Sequence, residues 1–170
     1  MLRLAVPLSL LALAACAEIP HLRAESLEPA RYRLEAGQAA IQLALAVRST
    51  AAEPMAAESV EYEVLLEGRP VAVGSVQLGG AEGVTVPAGG AASLELVLTL
   101  AWEQLPPDVA SRLERGGAVP VDVRGDVVYR LPGRKRASRV RFALDAHLLP
   151  VAAAGETPPR THQGSPSPRG

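Results

Sequence analysis

Residues 40–48 read "AIQLALAVR", and their apolar side chains fall on every second position: Ile41, Leu43, Leu45 and Val47. A period of two is that of a β-strand with one face buried, because successive side chains leave a pleated backbone on opposite sides. The same alternation recurs along the chain. In "VEYEVLLEG" the inward set is Val60, Tyr62, Val64 and Leu66, with Glu61, Glu63 and Glu67 on the other face. Gly68 and Arg69 then suit a two-residue hairpin turn with glycine first, which predicts the pairs Leu66 with Val71, Val64 with Val73 and Tyr62 with Ser75. Val84 and Val86 form a short segment between Gly-rich connectors. "SLELVLTLAW" sends Leu94, Leu96, Leu98 and Leu100 inward.

One stretch breaks the period. "EQLPPDVASRLERGG" spaces Leu105, Val109 and Leu113 four apart, one stripe of a short helix. Pro107 suits its first turn, Asp108 complements the helix dipole there, and Gly116 suits the C-terminal cap. The alternation then resumes through Val119, Val121, Val123, Val127, Tyr129 and Leu131, and closes with Val140, Phe142, Leu144, Ala146 and Leu148. Six or seven strands with regularly spaced turns and one helix predict an all-β fold: an antiparallel two-sheet sandwich of immunoglobulin or fibronectin type III kind over residues 31–150.

The two ends of the chain read differently. Met1 to Ala15 carries one cation, Arg3, and then an apolar run too short to span a bilayer, which is the build of a secretory signal peptide. It ends in Leu13-Ala14-Ala15-Cys16, which resembles the lipobox of bacterial lipoproteins, and Cys16 is the sole cysteine of the chain. In that family the thiol carries a diacylglyceryl group and the leader is cut off just before it, so the resemblance makes Cys16 a lipid anchor. The competing reading is a cut after Ala14 that leaves a free thiol. Two or three acyl chains hold a protein to a membrane essentially permanently. Ala17 follows the cysteine where an aspartate often retains lipoproteins in the inner membrane, so the resemblance implies the periplasmic face of the outer membrane. Residues 16–30 read as a polar tether, and residues 151–170, rich in Pro, Gly and Ser, as a disordered tail.

Composition narrows the function. With 17 Lys and Arg against 18 Asp and Glu the chain is near neutral, which argues against a general nucleic-acid binder. One Trp, one Phe and three Tyr leave no stacking platform for bases or sugars and require an aliphatic core. His21, His147 and His162 are the only histidines, and no pair stands at metal-ligand spacing, so neither a metal nor a cofactor is expected. His147 and Asp145, two apart on one strand, read as a hydrogen-bonded or water-facing pair. "VGSVQ" is a strand interior instead of a nucleophile elbow, and the glycine pairs Gly79-Gly80 and Gly89-Gly90 are turn residues. The sequence thus predicts a protein that is not an enzyme and takes no small-molecule substrate.

From about Leu34 to Leu149 the order of features resembles the late-embryogenesis-abundant (LEA) type 2 family, also called the water stress and hypersensitive response (WHy) domain. The likeness rests on "AIQLALAV", "VEYEVLLEGRPVAVGSV", "VTVPAGGAASLELVLTL", the helix near "PPDVASRLERGG", and the closing pair "VPVDVRGDVVYRL" and "VRFALDAHL". Where that family usually has an Asn-Pro-Asn turn after its first core strand, this chain has Arg48-Ser49-Thr50. The resemblance implies a non-enzymatic, fibronectin-like sandwich associated with dehydration or envelope stress. The alternative is an accessory lipoprotein of envelope assembly or transport that accepts a partner's strand at an exposed sheet edge.

The strongest charged feature is "RLPGRKRASRVRF", with Arg130, Arg134, Lys135, Arg136, Arg139 and Arg141 around one hairpin. Clustered cations suit contact with anionic lipid headgroups, lipopolysaccharide or cell-wall polymer. The plainer expectation is a solvated turn, partly neutralised by Asp126 and Asp145.

Overall fold

In the computed structural model, which describes residues 21–151, the alternating segments are strands. They run β1 Leu22–Glu35, β2 Gln38–Ser49, β3 Met55–Leu66, β4 Arg69–Gln77, β5 Val84–Val86, β6 Ala91–Ala101, β7 Val119–Arg130 and β8 Ser138–Pro150, with helix α1, Pro107–Glu114, between β6 and β7. The inward residues of β2, Ile41, Leu43, Leu45 and Val47, are all fully buried, as are Leu94 and Leu96 of β6 and Val121, Val123 and Val127 of β7. Burying each such side chain contributes about 1.5 to 3 kcal/mol. Val109 and Leu113 press the stripe of α1 into the same core, joined by Leu105 just before the helix.

The fold is mostly β with one helix, and its strands form a single path in the order β4-β3-β7-β8-β1-β2-β6, with β5 beside β3. All neighbours are antiparallel except β1 and β8, which meet in parallel through Arg31 opposite Leu149 and Tyr32 opposite Pro150. Where a sandwich of two sheets is expected, that short seam joins the strands into one path. The result is one curled, open sheet wrapped around the aliphatic core, with β5 lying against β2 and β6 across the curl.

Two expectations need correction. Residues 22–30, read as tether, belong to β1, and Leu22, Leu27 and Ala30 are buried. The strand was hidden because its pairing with β2 shifts register between Ala24 and Ser26 and again between Leu27 and Ala30, which breaks the period of two. The hairpin turn is Glu67-Gly68, with φ of 51° and 75°, instead of Gly68-Arg69. Leu66 therefore faces Arg69, and a register shift between Val64 and Leu65 then sets Val64 opposite Ala72 and Tyr62 opposite Gly74. A slip of one residue exchanges the faces of a strand, so Val73 points to solvent and is 78% exposed. Gly74 suits this register: a Cβ there would lie 2.7 Å from the Tyr62 hydroxyl oxygen, so a larger residue would push the ring aside.

Candidate functional site

The basic hairpin is the β7–β8 connection. Tyr129 opposite Ser138 closes its ladder, and the turn between them carries Arg134, Lys135 and Arg136. Gly133, with φ of 70°, reverses the chain, and the Arg134 amide donates to the Leu131 carbonyl at 3.1 Å.

The structure divides the six cations into two sets. Arg130 donates through Nε and Nη2 to both carboxylate oxygens of Glu58, at 2.6 and 3.2 Å. Arg139 Nη1 donates to Glu61 Oε2 at 2.5 Å, and Arg141 Nε stands 3.8 Å from Asp126 Oδ1. Arg124 extends the row by donating to Glu63 at 2.6 Å. These contacts have an electrostatic signature. The hydrogen bonds that Arg130 and Arg139 donate to Glu58 and Glu61 raise the pKa of both arginines, and the bond donated by Arg124 holds the Glu63 carboxyl below its ordinary value. The neutralising charges thus come mainly from β3. Asp126 takes part as expected, whereas Asp145 stands opposite Asp122 and pairs with no cation among the described residues.

Arg134, Lys135 and Arg136 form the second set. All three are exposed and make no ion pair among the described residues. With Leu131, Ala137 and Ser138 they line a hollow of about 420 Å³. A second hollow, about 740 Å³, crosses β4, β3, β7 and β8 where the register aligns Gly74, Tyr62, Gly125 and Phe142, with Glu61, Glu63, Arg124 and Arg141 around it.

The remaining candidates are placed as follows. Cys16, with the leader and its cleavage site, lies outside the described residues, as do His162 and residues 152–170. His147 and Asp145 are both exposed on β8 and share no hydrogen bond, which leaves them facing water. His21 precedes β1, and its carbonyl accepts the Thr50 amide at 2.8 Å. Among the described residues no cluster of His, Cys, Asp or Glu is arranged to hold a metal, and no helix is long and apolar enough to cross a membrane.

Neither a protein-family profile nor a curated protein sequence matches the chain. Solved structures do. One is a crystal structure of a protein from Archaeoglobus fulgidus, 19% identical, with TM-score 0.51 over 75% of this chain and 97% of that one. Another is a solution structure of an Arabidopsis thaliana protein, 11% identical, with TM-score 0.58 over 75% and 82% of the two chains. A third is a solution structure of a candidate LEA protein, 11% identical, with TM-score 0.55 over 80% and 75%. The fold is shared. At these identities the likeness shows the fold alone.

Proposed function

We propose that this chain is a non-enzymatic, stress-related protein of the LEA type 2 kind, held to the bacterial envelope by a lipid on Cys16. Its curled sheet, on this reading the fibronectin-like sandwich of that family, binds or shields envelope protein or polymer without turnover. The anchor places it on the periplasmic face of the outer membrane, after loss of residues 1–15. One observation carries the stress-related reading: a structure of a candidate LEA protein has the same fold. The order of strands, hairpin and helix in the sequence supports it independently.

The test is a deletion strain dried and rehydrated beside its parent, with mass spectrometry of the N-terminal peptide of the purified protein. The expected outcome is poorer survival, rescued by the wild-type gene and not by Cys16→Ser, together with an acylated Cys16. Equal survival of both strains would remove the stress role, and a free thiol at Cys16 would remove the anchor.

A second reading has its own observation. Among the described residues β4 and β6 end the strand path, each with one unpaired edge, and Val73 and Val97 on them are 78% and 63% exposed. Such edges suit strand addition by a partner protein. Crosslinking in intact cells that recovers one partner in fixed stoichiometry would favour this accessory role.

A further inference from the structure

The first described residues and the basic turn lie at the same end of the molecule. The bond from the Thr50 amide to the His21 carbonyl sets the start of β1 beside the β2–β3 connection. That connection leads into β3, whose Ala56 stands opposite Arg130, the last residue of β7. The β1–β8 seam points the same way. Because these strands run parallel, the start of β1 lies toward the start of β8, and Leu22, Arg23 and Ala24 line one hollow with residues 140–144. The opposite end holds α1, where the Tyr32 hydroxyl reaches Leu113 and Gly117, and Val151, whose amide donates to the Tyr32 carbonyl at 2.9 Å.

Cys16 precedes Leu22 by six residues, a reach of no more than about 22 Å even when fully extended. A lipid on Cys16 therefore brings this end of the sheet to the bilayer surface. The charges exposed there favour contact. Arg134, Lys135 and Arg136 point out from the turn, and Arg23 adds a further exposed cation. Of the carboxylates at this end, Glu58 is engaged by Arg130 and Glu25 by Arg48, which leaves Glu53 and Glu82 in neighbouring connections.

We propose that the β7–β8 turn is a foot that stands on anionic lipid: Arg134, Lys135 and Arg136 bind headgroup phosphates of the leaflet that holds the Cys16 lipid. This rests on the reading of Cys16 as the anchor. The tether holds the turn within reach of the leaflet at high effective concentration, so the three cations act on an encounter already made. Each cation close to an anionic surface is worth about a fivefold gain, and the gain fades beyond a Debye length of about 8 Å. Docking also fixes orientation, with α1 and Val151 held away from the membrane.

The test uses the full-length acylated protein in vesicles of phosphatidylglycerol and phosphatidylethanolamine, and in vesicles of phosphatidylcholine alone. Cys16 is the only native cysteine and its thiol is blocked by the lipid, so Ala137→Cys places a single fluorophore in the turn and Ala118→Cys places one at the far end. The expected result is quenching by headgroup-attached quencher at position 137 and not at 118, seen in the anionic vesicles and lost in high salt. Combining R134Q, K135Q and R136Q should lower the docked-to-undocked ratio by about a hundredfold, three steps of about fivefold. Their thermal midpoint should stay unchanged, since the turn is solvent-exposed. Equal quenching at both positions, or equal quenching of position 137 in the two vesicle types, would overturn the foot. Mass spectrometry separates the two ways of failing: an acylated Cys16 with no such contrast sinks the foot alone, and a free thiol sinks the anchor and the foot together.

Discussion

At the scale of single residues, the described structure leans on a few positions where one atom decides. Tyr32 is 2% exposed, and its hydroxyl lies 3.1 Å from both the Leu113 and Gly117 carbonyls, so it ties β1 to the end of α1. Burial also raises the pKa of that phenol. Tyr32→Phe keeps the ring and strips the donor from two carbonyls, so it should cost about 1 kcal/mol in a denaturant melt at neutral pH. A loss of zero would mean that water replaces the hydroxyl without penalty. Gly125 is a stricter case, because a Cβ there would lie 1.9 Å from the Glu61 carbonyl oxygen, inside the β3–β7 ladder. Gly125→Ala should therefore force β3 and β7 apart and cost about 3 kcal/mol or more. Gly133 is the matched contrast. Its φ is 70° with open space around it, so Gly133→Ala should cost only about 1 to 2 kcal/mol for the left-handed backbone. If the two variants melt alike, the close approach at Gly125 is not what constrains that position.

At the scale of elements, the strands of the core announce themselves and their partners do not. β2, β6 and β7 were legible because Ile41 to Val47 and Leu94 to Leu100 alternate without interruption and Val119 to Tyr129 with a single gap at Gly125, and α1 because Val109 and Leu113 switch the period to four. β1 was not, since two register shifts scatter Leu22, Leu27 and Ala30 off the period. The face of β4 differs from the expectation because the turn sits one residue earlier and the ladder shifts register between Val64 and Leu65, which no local pattern encodes. The charged site followed the same rule. Its cations stand together in the sequence, but Glu58 and Glu61 come from β3 and become partners only through the β3–β7 pairing. Another cross-element contact makes a pH prediction. Asp108 in the first turn of α1 accepts from Arg69 at the start of β4, and Glu67 in the hairpin turn accepts from Arg112 of the same helix. The bond from Arg69 holds the Asp108 carboxyl below its ordinary value of 3.8. A lowered folded-state pKa means stabilisation that is complete above the ordinary value and lost as pH falls through the lower one. Asp108→Asn should thus lower the melting temperature at pH 7, and its effect should shrink progressively as the pH falls below the ordinary value of 3.8 and through the lower folded-state value. Adding Arg69→Gln to Asp108→Asn should cost less than Arg69→Gln alone, because the Asp108 pair is already broken and only the 3.7 Å contact of Arg69 with Glu67 is left to lose. Additive losses would show that the two side chains act apart.

At the scale of the whole molecule, the seam between β1 and β8 decides how the sheet behaves. Every other ladder is antiparallel, and the long ones among them run over most of the length of their strands. The seam is parallel and joins only Arg31 with Leu149 and Tyr32 with Pro150, backed by the Val151 amide on the Tyr32 carbonyl. Along the rest of its length, hollows lined by both strands lie between Leu22 and Val140 and between Leu27 and Leu149. The core beneath is continuous, with Leu22, Tyr32 and Leu148 packed together with the side chains of β2 and β7, so side-chain packing carries the junction more than backbone pairing does. Amides without a ladder partner exchange through small local openings, whereas those paired in the middle of a sheet wait for global unfolding. Native-state hydrogen exchange should therefore find the greatest protection in β2, β3 and β7, each paired on both sides. Alternate amides of β8 facing β1 should exchange far faster than those facing β7, although the strand lies inside the path and not at its edge. Uniform protection along β8 would mean that the seam is a full ladder and that the curled sheet opens only as a whole.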